Sequence, residues 1–223
     1  MPEPVNLWLL AAFALAVIHW IARACGWMHI SILTKLPVMA ALIFWSLSFG
    51  GWSGNLRWMG LGLIFSLVGD GLLLLPGKFF LAGLFSFLMA HLSYIIWFCL
   101  PTPALDPRLM LFVFLLISGG YLYFHHVLQI LKFSIFRQRF VVPIILYGIV
   151  LCTMTLCACQ TLFRPDWPVF AAAFSTAGGF FFLLSDSLLA YNRFVRSLPG
   201  GKTLEMVLYH LAQAAIITGA LLK

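Results

Sequence analysis

Residues 62–75 read GLIFSLVGDGLLLL, a stretch that is apolar apart from Ser66 and one carboxylate, Asp70. A charged side chain inside a bilayer-spanning helix costs roughly 2.5–3.5 kcal/mol on insertion scales, so its presence calls for a partner or a function. The pattern returns at residues 178–191 as GGFFFLLSDSLLAY, with Asp186 in the place of Asp70. At one constant offset Gly62, Phe65, Asp70, Leu72 and Leu73 match Gly178, Phe181, Asp186, Leu188 and Leu189. Two acids in apolar segments, one in each half of the chain, organise everything else.

The surrounding composition decides the class. Of 223 residues 63% are hydrophobic and 9% charged, with a mean hydropathy of +1.06, whereas a soluble domain is about 25% charged. Apolar runs recur at the length a hydrocarbon core of ~30 Å asks of a helix. The runs predict eight spans, at 5–22, 30–48, 57–75, 79–99, 108–128, 140–160, 167–191 and 205–222. Gly50-Gly51, Pro76-Gly77, Pro101-Thr102-Pro103, Pro165 and Pro199-Gly200-Gly201 punctuate the connections. No stretch is left over for a soluble unit. The expectation is an all-α, polytopic integral membrane bundle of eight transmembrane helices forming a single domain over residues 1–223. Helices 3 and 7 lie four spans apart and share a direction, so the matched acids read as a parallel 4+4 repeat. Pro37 against Pro143 and His91-Leu92 against His210-Leu211 extend the match.

The net charge of +7 could suggest nucleic acid, but the basic residues are scattered singly through short connections and read as topology signals instead. Arg23, Lys35, Lys78, Lys132, Arg137, Arg139, Arg193, Arg196 and Lys202 fall on one side; Arg57, Arg108, Arg164 and Lys223 fall on the other. That bias predicts cytoplasmic odd-numbered loops and both termini outside, in a bacterial inner membrane. Trp8, Trp52, Trp58, Trp167 and Tyr191 fall near the expected interfaces. The first apolar run has no basic leader and no small-residue cleavage site before Arg23, so it is expected to stay as a helix. The five cysteines form no CxxC or Cys/His ligand spacing and read as small buried hydrophobes; neither a metal nor another cofactor is expected.

Depth along each span then shows which polar residues converge. Asp70 and Asp186 each sit about a turn and a half from the inner end of an inward-running helix. Lys35 lies one to two turns into helix 2, and Glu205, Tyr209 and Gln213 form an i, i+4, i+8 stripe on helix 8. His91 and Tyr94 share a face of helix 4 nearer the midplane, and Tyr147 lies two turns into helix 6. The inner half of the bundle thus collects the polar inventory. Lys35 is expected either to pair with one carboxylate or to snorkel to the interface. Glu205 reads chiefly as an N-terminal dipole partner of helix 8. Gly62, Ser66 and Gly179 allow close helix approach beside the acids.

At these residues the chain resembles the YhhN-like family of membrane proteins, which includes the eukaryotic lysoplasmalogenases. The features that carry the likeness are Thr34-Lys35-x-Pro37, SLVGDGLLL around Asp70, Phe79-x3-Gly83-x-Phe85-x-Phe87-x3-His91-x2-Tyr94, Pro143-x3-Tyr147, FFLLSDSLLAYNRF around Asp186, and Tyr209-x3-Gln213. The resemblance implies hydrolysis of the vinyl ether bond of lysoplasmalogens to a fatty aldehyde and glycerophosphoethanolamine or glycerophosphocholine, with the lysophospholipid drawn from surrounding membrane lipids. Two carboxylates suit that chemistry, since protonating the vinyl ether creates an oxocarbenium ion like that of glycoside hydrolysis. Asp70 and Asp186 are the expected catalytic pair; Lys35, His91, Tyr94, Tyr147, Tyr209 and Gln213 are expected to bind substrate and position them. The alternatives are a small proton- or ion-coupled transporter or lipid carrier, in which the acids bind protons or cations, and a structural subunit, in which they only hold helices together.

Overall fold

A computed structural model of the protein describes residues 6–102, 106–132 and 140–223. Eight helices among them are long and apolar enough to cross a bilayer, so the chain is an integral membrane protein. They are α1 (Leu7–Ala24), α2 (Met28–Leu47), α3 (Leu56–Leu74), α4 (Phe80–Phe98), α5 (Leu109–Lys132), α6 (Val141–Gln160), α7 (Val169–Phe194) and α8 (Gly201–Leu221). Single 3₁₀ turns, Gly77–Phe79 and Thr161–Phe163, precede α4 and follow α6.

Local chemistry sets the ends. The Asn6 side chain accepts hydrogen bonds from the backbone N–H groups of Trp8 and Leu9 at 3.1 and 3.2 Å, an N-cap that satisfies two otherwise orphaned donors. Gly200 takes a left-handed φ of +68° and lets α8 begin at once. This differs from the start at 205 that hydropathy predicts. Lys202 and Thr203 are too polar for the membrane core yet compatible with a helix, so the apolar run ends before the helix does. The shift places Glu205 beyond the first turn of α8.

The closest pairings are α1 with α2, α3 with α4 and α7 with α8. Helix α8 is the most enclosed span and also meets α1, α2 and α3. Helix α5 is the most exposed span and lies at the edge against α6 and α7. Glycines permit the tight crossings: a Cβ on Gly62 of α3 would lie 2.2 Å from the Tyr94 ring of α4.

The end of the bundle away from Asp70 and Asp186 is locked by buried Arg164. Its guanidinium donates to the Phe98 carbonyl at 2.7 Å and to both carboxylate oxygens of Asp166 at 3.0 and 2.8 Å. Those bonds hold the Asp166 carboxyl below the usual carboxylate range. Trp167, an expected interface residue, is buried here against Trp97 and Phe98, because the Arg164 turn folds it inward.

Candidate active site

Six helices deliver the two acids and their partners. On α3, Asp70 is almost wholly buried, with Lys35 Nζ of α2 3.0 Å from Oδ1. The Tyr209 hydroxyl of α8 donates to Oδ2 of the same carboxylate at 2.8 Å. Lys35 therefore turns inward to an ion pair and does not snorkel. An isolated charge would be prohibitive at this depth; pairing and a second hydrogen bond make it tolerable.

On α7, Asp186 is held by different chemistry. Its Oδ2 receives a short hydrogen bond from the Tyr147 hydroxyl of α6. His91 Nε2 of α4 lies 3.2 Å from that oxygen and 2.9 Å from the Tyr147 hydroxyl. The His91 ring is fully buried and meets Phe182 edge-on, which fixes its plane. Asp70 is thus held from α2 and α8, and Asp186 from α6 and α4. Exchanging the halves of the chain (α3 for α7, α2 for α6, α8 for α4) maps one set of partner helices onto the other.

Tyr94 and Gln213 stand behind the acids. The Tyr94 hydroxyl donates to Gln213 Oε1 at 2.7 Å, and Gln213 Nε2 donates to Ser66 Oγ at 2.9 Å. Neither touches a carboxylate; they tie α4 and α8 to the acid-bearing face of α3, one turn from Asp70. All eight sequence-predicted residues are buried. Six bond directly within the two acid clusters, and two brace them.

Asp70 and Asp186 also line one cavity, of about 20 Å³, together with Lys35, Phe87, Glu205 and Tyr209. That is room for about one water, between these polar groups and the apolar side chains of Leu73, Leu189 and Met206. Glu205 corrects the expectation that it serves the start of α8. Because that helix begins four residues earlier, its side chain reaches this cavity and accepts from Asn192 Nδ2 at 3.3 Å. The signal was present in the sequence: Glu205 precedes Tyr209 by one turn on the Tyr209–Gln213 stripe. A second cluster had no such signal. Trp20 Nε1 donates to His210 Nδ1 at 3.0 Å, and His19 Nδ1 lies 3.1 Å from the Thr34 hydroxyl, one residue before Lys35.

The arrangement can donate a proton, hold an anion against a developing cation, and admit a water between two carboxylates. A sequence profile of the YhhN family matches residues 30–220, which takes in both aspartates and the side chains that hold them. The chain is 33% identical over 187 residues to Lysoplasmalogenase TMEM86B of Mus musculus, covering 83% of this chain and 72% of the mouse protein. It is 33% identical over 188 residues to the Homo sapiens protein of the same name, covering 83% and 73%. The Rattus norvegicus protein, also Lysoplasmalogenase TMEM86B, is 30% identical over 224 residues, covering 97% and 85%. No solved structure matches.

Proposed function

The chain belongs to the YhhN family, and from that premise we propose that it is a hydrolase of lysoplasmalogen type, cleaving the vinyl ether bond of a single-chain lysophospholipid. Its relatives carry that activity in their names. The observation that supports the mechanism is the shared cavity: two carboxylates from distant parts of the chain border the same water-sized space.

In this reading Asp186 is the general acid. It faces Tyr147 and His91, groups that can pass a proton, whereas Asp70 faces the fixed cation Lys35 and serves as the anion. Asp186 protonates the vinyl carbon remote from the ether oxygen, and the double-bond electrons form the new C–H bond. The resulting oxocarbenium ion is stabilised by the Asp70 carboxylate. Asp70 then takes a proton from the water that adds to the cationic carbon. The hemiacetal then collapses: protonated Asp70 gives its proton to the departing glycerol oxygen and ionised Asp186 takes the proton of the hemiacetal hydroxyl. A fatty aldehyde and the free glycerol hydroxyl leave, one water is consumed and both acids return to their starting states. The division of labour is that of paired carboxylates in glycoside hydrolysis.

Tyr209, Lys35, Tyr147 and His91 hold the two acids in place; Tyr94 and Gln213 hold the helices that carry them. The headgroup is assigned to the mouth formed by the first turns of α2 and α8. There Arg23 Nε donates to the Lys202 carbonyl at 3.1 Å, and Nη1 donates to Ser31 Oγ at 3.4 Å. The basic bias of the odd-numbered loops supports putting this mouth on the cytoplasmic side of a bacterial inner membrane, with both termini outside.

The test is aldehyde release from a lysoplasmalogen by the detergent-purified protein. Wild type is expected to turn it over, while Asp70→Asn and Asp186→Asn are expected to fall to background yet still elute as folded protein. Turnover that survives both substitutions would refute the mechanism, and absence of product from wild type would refute the substrate.

A further inference from the structure

Asp186 borders two spaces. Besides the water-sized cavity it lines a cleft of about 410 Å³ between α5, α6 and α7, whose other walls are almost entirely apolar. That volume falls within the range of roughly 300–1,000 Å³ typical of small-molecule sites. On α5 the wall is built from three pairs one turn apart: Leu115 and Leu116, Gly119 and Gly120, Tyr123 and Phe124. The Tyr123 hydroxyl donates to the Ser187 carbonyl at 2.6 Å, which sets that end of the cleft level with Asp186. Eight residues of helix separate Tyr123 from Leu115, so the cleft runs about 12 Å along the bundle away from the acid.

We infer that this cleft takes the hydrocarbon chain of a single-chain lipid, and that Gly119 and Gly120 keep it open and so set the chain length accepted. The inference rests on the proposed reaction, which needs the first carbons of the chain at Asp186. The cleft puts an apolar channel directly behind that carboxylate. Consecutive glycines are poor helix formers and weaken an exposed helix such as α5. Here each faces open space, with no atom within 4 Å of where a Cβ would sit. A bulky side chain at either position would project into the cleft without meeting its own neighbours. Leu115 and Leu184, both about half exposed, form part of the wall. The cleft therefore opens sideways on the lipid-facing surface, beside the most exposed span, so a chain can enter from the bilayer without leaving it.

Two measurements test this. The first compares aldehyde release from lysoplasmalogens of graded alkenyl length by wild type, Gly120→Leu and Ile117→Phe, the last lying on the outer face of α5. Gly120→Leu is expected to lose turnover of the longest chains by at least ~10-fold relative to the shortest, since one methylene in a hydrophobic pocket is worth roughly 10–200-fold. Ile117→Phe is expected to keep the wild-type profile. The second measurement uses a non-hydrolysable 1-O-alkyl lysophosphoethanolamine with a diazirine at the chain terminus, photolysed in the wild-type protein. Labels are expected on Leu115, Leu116, Gly119, Gly120, Leu151 and Cys152, and excess unlabelled lipid should abolish them. An unchanged length profile in Gly120→Leu, or labels spread over outward-facing helices, overturns the inference. If labels fall in the cleft but wild type releases no aldehyde, the proposed reaction fails and the chain-binding site stands. If aldehyde is released and the labels fall elsewhere, only the cleft fails.

Discussion

Replacing Lys35 by Met removes the cation from a pair whose side chains are 10% and 2% exposed. At 3.0 Å the attraction is about 5.5 kcal/mol for an effective dielectric of ~20. Desolvating both charges offsets most of it, so the intact pair contributes little net stability. Breaking it is another matter. Asp70 would remain buried with the Tyr209 hydroxyl as its partner, and an uncompensated buried charge costs about 3–5 kcal/mol. In a chain of this length 1 kcal/mol moves the midpoint by ~2–4 °C, so Lys35→Met is expected to melt about 6–20 °C below wild type. The double variant Lys35→Met/Asp70→Asn removes both charges, keeps an oxygen for Tyr209, and is expected to recover most of that loss. Tryptophan-fluorescence melts in detergent read the cycle, and aldehyde release read alongside separates fold from chemistry. The double variant should be stable and inactive. A single variant that melts with wild type, or a double variant as unstable as the single, would show that the ion pair does not govern this site.

Tyr147→Phe removes the hydroxyl that bonds Asp186. Hydrogen bonds to charged groups contribute about 1.5–3 kcal/mol, so kcat is expected to drop roughly 10- to 150-fold with KM nearly unchanged, as steady-state aldehyde release will show. Gly62→Ala drives a Cβ to 2.2 Å from the Tyr94 ring and is expected to cost about 1–3 kcal/mol in a thermal melt. Gly71→Ala, whose nearest contact would be an ordinary 4.0 Å, should be neutral or slightly stabilising. Because the Arg164 guanidinium holds the Asp166 carboxyl below its usual range, that contact stabilises the fold above the unfolded carboxyl value of ~3.9 and is lost as pH falls through the lower folded value. The Asp166 side chain is 42% exposed, so the effect is under ~1 kcal/mol. Asp166→Asn should lower the melting midpoint at pH 7, and by progressively less as the pH falls below ~3.9.

The sequence by itself determined the membrane class, the number and approximate limits of the spans, and which polar residues matter. It could do so because the bilayer imposes a length on every apolar run and a cost on every charge within one. Asp70, Asp186 and Lys35 stand out against such a background without any knowledge of their neighbours. Depth along each helix was legible too, and it gathered most of the polar residues, Tyr147 and Tyr209 among them, in the inner half of the bundle with the acids. Rotation of one helix against another was not. A span of Leu and Phe is apolar on nearly every face, so nothing in it says which side meets which partner. Only the packed bundle gave Lys35 and Tyr209 to Asp70, gave Tyr147 and His91 to Asp186, and left Tyr94 and Gln213 bonded to each other. Helix ends escaped for a related reason: hydropathy marks where the membrane begins, while Gly200 and its backbone angle decide where α8 begins. That difference of one turn carried Glu205 into the cavity. The cleft beside α5 was also invisible in the chain, since a cavity is a property of the space between helices, and Gly119 and Gly120 acquire meaning only once α6 and α7 stand opposite them.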